Sequence, residues 1–154
     1  MMTRLAVLAA LGSFGLLAGA FVFQSLGYAP CKLCLWQRWP HGVAVAIGLL
    51  VLWRPLPALM LAGAAAALTT AAIGAYHTGV ERGWVEGPST CTSGSVGGLT
   101  PEELMAQILS APLVRCDEVA WAFLGVSMAS WNMLFSVGLA GLWLWGFAAR
   151  DRRV

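Results

Sequence analysis

Long uncharged apolar runs alternate with short polar connections along this chain, and one long polar stretch separates the last run from the others. A hydrocarbon core about 30 Å thick needs about 20 mostly apolar residues per helix. Leu5–Leu26 and Ala58–Tyr76 are uncharged and long enough, and Leu35–Trp53 carries one charge, Arg38, near its start. Val119–Ala149 is uncharged and longer than a crossing requires, which places the span at about Met128–Phe147 with Trp121 and Phe123 at the interface. The pattern predicts an all-α membrane protein: one domain over residues 1–154, built as a four-transmembrane-helix bundle with both termini on the same side. A short loop at about 27–34 and a long one at about 78–127 then share the opposite side.

The long loop contains one legible element. Thr100-Pro101-Glu102-Glu103 reads as an N-cap, a proline at the first helical position and a glutamate three residues after the cap. Leu104, Met105, Ile108 and Leu109 give that helix an apolar face over about Pro101–Ser110, suited to a membrane surface or to packing on the loop itself. Pro88 and the Ser93–Gly98 stretch predict irregular backbone around it.

Charge orients the bundle. Arg4, the Arg54-Pro55-Leu56-Pro57 turn and the tail with Arg150, Arg152 and Arg153 flank apolar runs, so the excess of positive charge puts them in the cytoplasm. Lys32, Arg38, Arg82 and Arg115 run against this, but the last two sit among six acids of the long loop. The outward side of a bacterial inner membrane is the periplasm, where disulfides persist. Composition agrees: 59% of residues are hydrophobic and 10% charged, against about 25% charged in soluble domains. No basic surface for nucleic acid is present, and the absence of acids from the four runs speaks against a proton-coupled exporter. Met1–Ala20 has a basic start and ends in Ala18-Gly19-Ala20, yet its apolar run exceeds a signal-peptide core, so it is taken as a span. Gly15 and Gly19 form a Gly-x-x-x-Gly pattern, open to a close helix contact or to small residues in an alanine-rich helix.

All four cysteines fall outside the apolar runs and on the outward side. Cys31-Lys32-Leu33-Cys34 stands where the second run begins, and Cys91 and Cys116 lie in the long loop. Four cysteines allow three pairings; Cys31–Cys34 with Cys91–Cys116 is the simplest because each pair is local. A loop closed between Cys91 and Cys116 would gain about 3 kcal/mol of chain-entropy stabilisation. A Cys-x-x-Cys loop is too short to gain much, and such pairs are more often redox-active. Zinc motifs bring two close pairs together, whereas the second pair here is widely split. Haem attachment needs a histidine after the second cysteine, and residue 35 is Leu. Arg38 lies one turn beyond Cys34 on the same face; a cation and a helix N-terminus both stabilise a thiolate. A thiolate at that depth points to a lipid-soluble, two-electron acceptor, a quinone, with Arg38 beside the charge that develops on it. His77 at the end of the third run is a second candidate for that site. His41, three residues from Arg38 and next to Pro40, is left unassigned.

Cys31-Lys32-Leu33-Cys34-Leu35-Trp36-Gln37-Arg38 after a first span resembles the C-x-x-C-x-x-x-R signature of the DsbB family of bacterial disulfide-bond formation membrane proteins. Tyr76-His77-Thr78-Gly79-Val80-Glu81, Cys91, Cys116-Asp117, the Trp121-x-Phe123-Leu124-Gly125 stretch and Trp131 look like the same family, so the resemblance spans nearly the whole chain. It implies an enzyme, a quinone-dependent protein-dithiol oxidase of the inner membrane that reoxidises a periplasmic DsbA-like thiol oxidase. By position, Cys91 takes the mixed disulfide with the partner and Cys116 is its pair. Electrons then reach Cys31 and Cys34 through a transient Cys31–Cys116 bridge, and Cys34 passes them to ubiquinone or menaquinone near Arg38 and His77. Each protein step is thiolate attack on a disulfide sulfur. Gly94, Gly97 and Gly98 would give the loop the freedom this requires. The alternatives are a vitamin-K-epoxide-reductase-like enzyme, in which the quinone-facing pair comes late in the chain, and a structural or adaptor protein with stapled loops.

Overall fold

The structure, a computed structural model, describes residues 1–91, 98–110 and 114–149. Gly94 and Gly97 of the long loop and the Arg150, Arg152 and Arg153 tail lie outside the described residues. Four long helices, α1 (Met2–Ser25), α2 (Lys32–Trp53), α3 (Pro57–Glu81) and a later one, make the bundle; α4 (Pro101–Ser110) lies in the long connection. A two-stranded hairpin, β1 (Ala122–Phe123) and β2 (Val126–Ser127), leads directly into α5 (Met128–Ala148).

The ends of these helices follow local chemistry. Gly27, at φ +99°, ends the turn after α1 in a conformation that costs other residues strain. Pro57 occupies the first turn of α3, where its missing N–H is not needed. Ser127 caps α5 by accepting the Ser130 N–H at 3.2 Å. The expected capping box opens α4: Glu103 accepts the Thr100 N–H at 2.8 Å, and Thr100 accepts the Glu103 N–H at 3.3 Å. The backbone hydrogen bond from Thr100 holds the Glu103 carboxyl below its usual range.

The half of the bundle away from the cysteines is packed by small residues facing large ones. Trp143 of α5 is fully buried over Gly63 of α3, Gly48 of α2 meets Ala10 of α1, and Gly146 of α5 meets the end of Met60. Gly15 and Gly19 make no such contact, since a Cβ on either would have nothing within 4 Å. The Gly-x-x-x-Gly pattern is therefore not a packing seam; both glycines border a cavity between the helices. Large apolar side chains such as Leu49, Trp53, Leu11 and Phe14 point outward, as lipid-facing residues do.

Among the described residues α1, α3 and α5 are long and apolar enough to cross a membrane. α2 is of similar length, but Gln37, Arg38 and His41 crowd its N-terminal half. α3 also runs one turn past the expected end at Tyr76, and so carries Glu81 within the helix. The acid assigned to the loop is a buried group at the end of the bundle, its side chain 6% exposed.

Candidate active site

The Cys-x-x-Cys pair sits on the first turn of α2, ahead of the apolar run that starts at Leu35. Cys31 is itself the N-cap: its Sγ accepts the Cys34 backbone N–H at 3.2 Å. Helical spacing then folds Cys34 back over the cap, and the two thiol sulfurs stand 2.8 Å apart. The hydrogen bond from Cys31 holds the Cys34 thiol below its usual range against the opposing effect of burial, and Arg38 adds the smallest favourable contribution. The same bond, together with burial, pushes Cys31 up. Cys34 is thus the sulfur that ionises first, with Cys31 as its proton-bearing partner.

Cys91 and Cys116 are joined in a disulfide. Both are buried, and the Cys116 N–H donates to the Cys91 carbonyl at 2.6 Å. Arg115 is paired to Asp117 at 2.6 Å and to Glu118 at 3.4 Å, which holds the Asp117 carboxyl below its usual range and offsets the Arg115 charge. The two cysteine pairs, distant in sequence, meet: ligating atoms of Cys31, His77 and Cys116 all lie within 4.8 Å of one another. Leu33, Val80 and Val114 pack around them and exclude water.

A cavity of about 390 Å³ opens beside this cluster, within the size range of small-molecule sites. Cys31, Cys34, Arg38, His41 and His77 line it together with Gly15 and Gly19. A ladder of rings closes one side, running Phe23–Trp121 (4.9 Å), Trp121–Phe123 (6.1 Å), Phe123–Trp131 (6.5 Å) and Trp131–Phe135 (5.5 Å). Trp121 and Phe123 are placed here by the hairpin, whose turn sets Leu124 and Gly125 at φ +53° and +74°. Arg38 reaches across to α1, donating to Gln24 Oε1 at 2.6 Å and to Ala20 O at 3.3 Å over the Phe21 ring. Its Nε is buried with no hydrogen-bond partner among the described residues.

The wall away from the ladder is polar. His77 lies 3.5 Å from Cys31 Sγ, 3.0 Å from Gln37 Nε2 and 3.9 Å from Glu81. Asn132 links Gln37, Thr70 and His41, at 2.7, 3.1 and 2.8 Å. Gln37, Thr70, Glu81 and Asn132 were not among the candidates read from the sequence. For Gln37, Thr70 and Asn132 the available signal was an uncharged polar residue within an apolar run, which in a bilayer is kept only where it has an inward partner; Glu81, beyond the run, gave none.

A family model described as disulfide bond formation protein DsbB matches residues 2–146. The chain belongs to the DsbB family. Disulfide bond formation protein B of Stutzerimonas stutzeri is 31% identical over 157 residues, covering 94% of this chain and 94% of that protein. The protein of the same name from Xanthomonas oryzae pv. oryzae is 34% identical over 148 residues, covering 88% of this chain and 82% of that protein. An uncharacterized protein of Rickettsia prowazekii is 28% identical over 116 residues, 73% of this chain and 67% of that protein. No solved structure matches the chain. Membership in the DsbB family makes this a disulfide-bond formation membrane protein and gives its cysteines a disulfide oxidoreductase chemistry.

Proposed function

We propose that this DsbB-family protein reoxidises a periplasmic DsbA-like thiol oxidase and passes the electrons to a membrane quinone, ubiquinone or menaquinone. The observation that carries the proposal is the meeting of the two cysteine pairs, with Cys31 and Cys116 sulfurs within 4.8 Å, beside a cavity that Cys31 and Cys34 line. In this reading α1, α2, α3 and α5 all cross the inner membrane with both termini cytoplasmic, and every cysteine is periplasmic. The polar outer half of α2 tolerates the crossing because Gln37 and His41 are buried against α3 and α5 rather than lipid.

The relay balances as a chain of exchanges. A partner thiolate bonds to Cys91 and the Cys91–Cys116 bond breaks, its electron pair staying on Cys116. Cys116 bonds to Cys31, and the Cys31–Cys34 bond breaks in favour of a Cys34 thiolate. The partner's second thiol then releases Cys91, which rejoins Cys116 and leaves Cys31 and Cys34 reduced, the state seen in the structure. Cys91 is 1% exposed, so the first step requires the loop to lift it toward the partner.

The cavity residues fit a quinone. Arg38 has a free buried N–H to donate to a carbonyl oxygen, the ring ladder gives a flat apolar wall, and Cys34 lies on the rim as the lowered thiol. A bound quinone supplies the capacity to take two electrons and two protons. Cys34 offers the electron pair as thiolate, and Cys31, 2.8 Å away, closes the disulfide onto it. The test mixes purified protein with a reduced DsbA-type partner and a soluble ubiquinone analogue and follows quinone absorbance. Reduction should require the partner and vanish in Cys34→Ser; no reduction with ubiquinone or menaquinone analogues and four intact cysteines would overturn the proposal.

A further inference from the structure

The buried polar groups of α2, α3 and α5 form one connected chain, and main-chain carbonyls at its two ends fix its direction. A carbonyl only accepts. Gln37 Nε2 lies 3.2 Å from Leu33 O, so this end of the amide is the donor, and its second proton faces His77 Nδ1 at 3.0 Å. At the other end Thr70 donates its hydroxyl to Gln37 O at 3.1 Å, so its oxygen accepts from Asn132 Nδ2 at 3.1 Å. The same Nδ2 donates to Gln37 Oε1 at 2.7 Å. Both ends agree that Gln37 presents an N–H to His77. With Nδ1 accepting, the proton of the neutral ring sits on Nε2, the nitrogen 3.5 Å from Cys31 Sγ.

We propose that Gln37, braced by Leu33 and Asn132, is a positioning residue that holds His77 as the Nε2–H tautomer, so that the ring donates to the Cys31 sulfur whenever that sulfur is a thiolate. The need for such a donor rests on the relay above. When the Cys91 thiolate bonds to Cys116, the Cys31–Cys116 bond breaks and its electron pair stays on Cys31. Two donors then face that charge, the Cys34 backbone N–H and His77 Nε2–H. The charged and titratable groups around the ring are Glu81 on α3, 3.9 Å from the same nitrogen, Cys31 and Cys34 on α2, and Arg38 across the cavity. At 3.9 Å Glu81 Oε1 is beyond hydrogen-bond reach of that nitrogen, and the Cys116 main chain is a second acceptor beside the ring, which the sulfur outcompetes once it carries charge. The arrangement also disfavours a thiophilic cation between Cys31, His77 and Cys116, because a metal needs a lone pair on the nitrogen that Gln37 leaves protonated.

The test uses the full chain with Cys34→Ser, so that Cys31 is the one free thiol, and with the Cys91–Cys116 disulfide intact. Nitrogen-15 NMR of labelled histidine reads the tautomer, and the pH profile of Cys31 alkylation reads thiolate stabilisation. His77 should give the Nε2–H signature, and Gln37→Leu should mix the tautomers. In Gln37→Leu the alkylation of Cys31 at a pH below its midpoint should fall about tenfold, one unit of pKa for a weakened charge-assisted hydrogen bond. Asn132→Leu should move both readouts in the same direction by less. An Nδ1–H signature in the Cys34→Ser protein overturns the proposal, as does an unchanged alkylation profile in folded Gln37→Leu. Should Gln37→Leu lose the fold, the parent tautomer and Asn132→Leu decide. Neither readout involves a quinone or a partner, so failure here is distinct from failure of the relay.

Discussion

Replacing Cys31 with alanine should raise the Cys34 thiol pKa by about one to two units. The Cys31 thiol is the largest cause holding Cys34 low, and a hydrogen bond to a charged group contributes about 1.5–3 kcal/mol, at about 1.4 kcal/mol per unit of pKa. The helix N-terminus and Arg38 remain in the variant, which keeps the expected shift toward the lower figure. Alanine also removes the N-cap sulfur from the Cys34 N–H, costing about 1 kcal/mol of stability. Serine in place of Cys31 is the control that restores both effects, because its hydroxyl both donates to Cys34 and caps the helix. The assay is alkylation of Cys34 against pH in protein with Cys91–Cys116 intact, quantified by mass spectrometry of the Cys34 peptide. Because Cys34 is depressed in the parent, its alkylation should persist further as pH falls than in Cys31→Ala, with Cys31→Ser close to the parent. By the same sign, Cys34 ionisation stabilises the reduced fold above the unfolded thiol pKa, and that increment is lost as pH falls through the depressed folded value. Equal midpoints in the parent and Cys31→Ala would refute the reasoning and assign the lowering to the helix terminus and Arg38 alone.

Arg38→Gln should raise the KM for a quinone analogue about tenfold or more through loss of a charge-assisted donor, while the rate of disulfide exchange with a reduced partner stays unchanged; steady-state and single-turnover kinetics separate the two. Gly19→Leu places a side chain into open cavity space, so analogue binding should weaken with little change in melting temperature. Gly63→Val should instead destabilise the bundle by about 3 kcal/mol by overpacking, because Trp143 already fills the position of a Cβ at Gly63; thermal melting in detergent reads it.

Hydropathy made the helices legible because lipid-facing side chains and apolar packing share one signature. It fails where polar groups turn inward. Tyr76, His77 and Thr78 look like the start of a loop, yet α3 continues to Glu81, since Thr78 bonds Ser130 at 2.9 Å and Glu81 accepts from Ser127. Gln37 and Asn132 carry no local sign of their pairing, which joins residues 95 positions apart in sequence. The four cysteines, Arg38 and His77 were legible as a group; the structure sets Cys31, Cys34, Arg38 and His77 around one cavity and Cys116 beside Cys31 and His77. Arg38 acts on Cys34 as its place one turn on suggests, and its guanidinium is also tied to α1 by Gln24 and Ala20, residues with no recognisable pattern. The hairpin escaped notice because Leu124 adopts a positive φ that a leucine rarely takes. Gly15 and Gly19 suggested helix packing, since sequence alone does not tell a close contact from a cavity wall.

The most direct test of electron transfer between the two pairs is a protein in which Cys31 and Cys116 are the only cysteines, made by Cys34→Ser with Cys91→Ser. Their sulfurs lie within 4.8 Å in the parent structure, so mild oxidation should give a single Cys31–Cys116 disulfide within one chain, identified by mass spectrometry of the linked peptides. A protein that stays reduced, or that forms only bridges between chains, would contradict the relay at its central step.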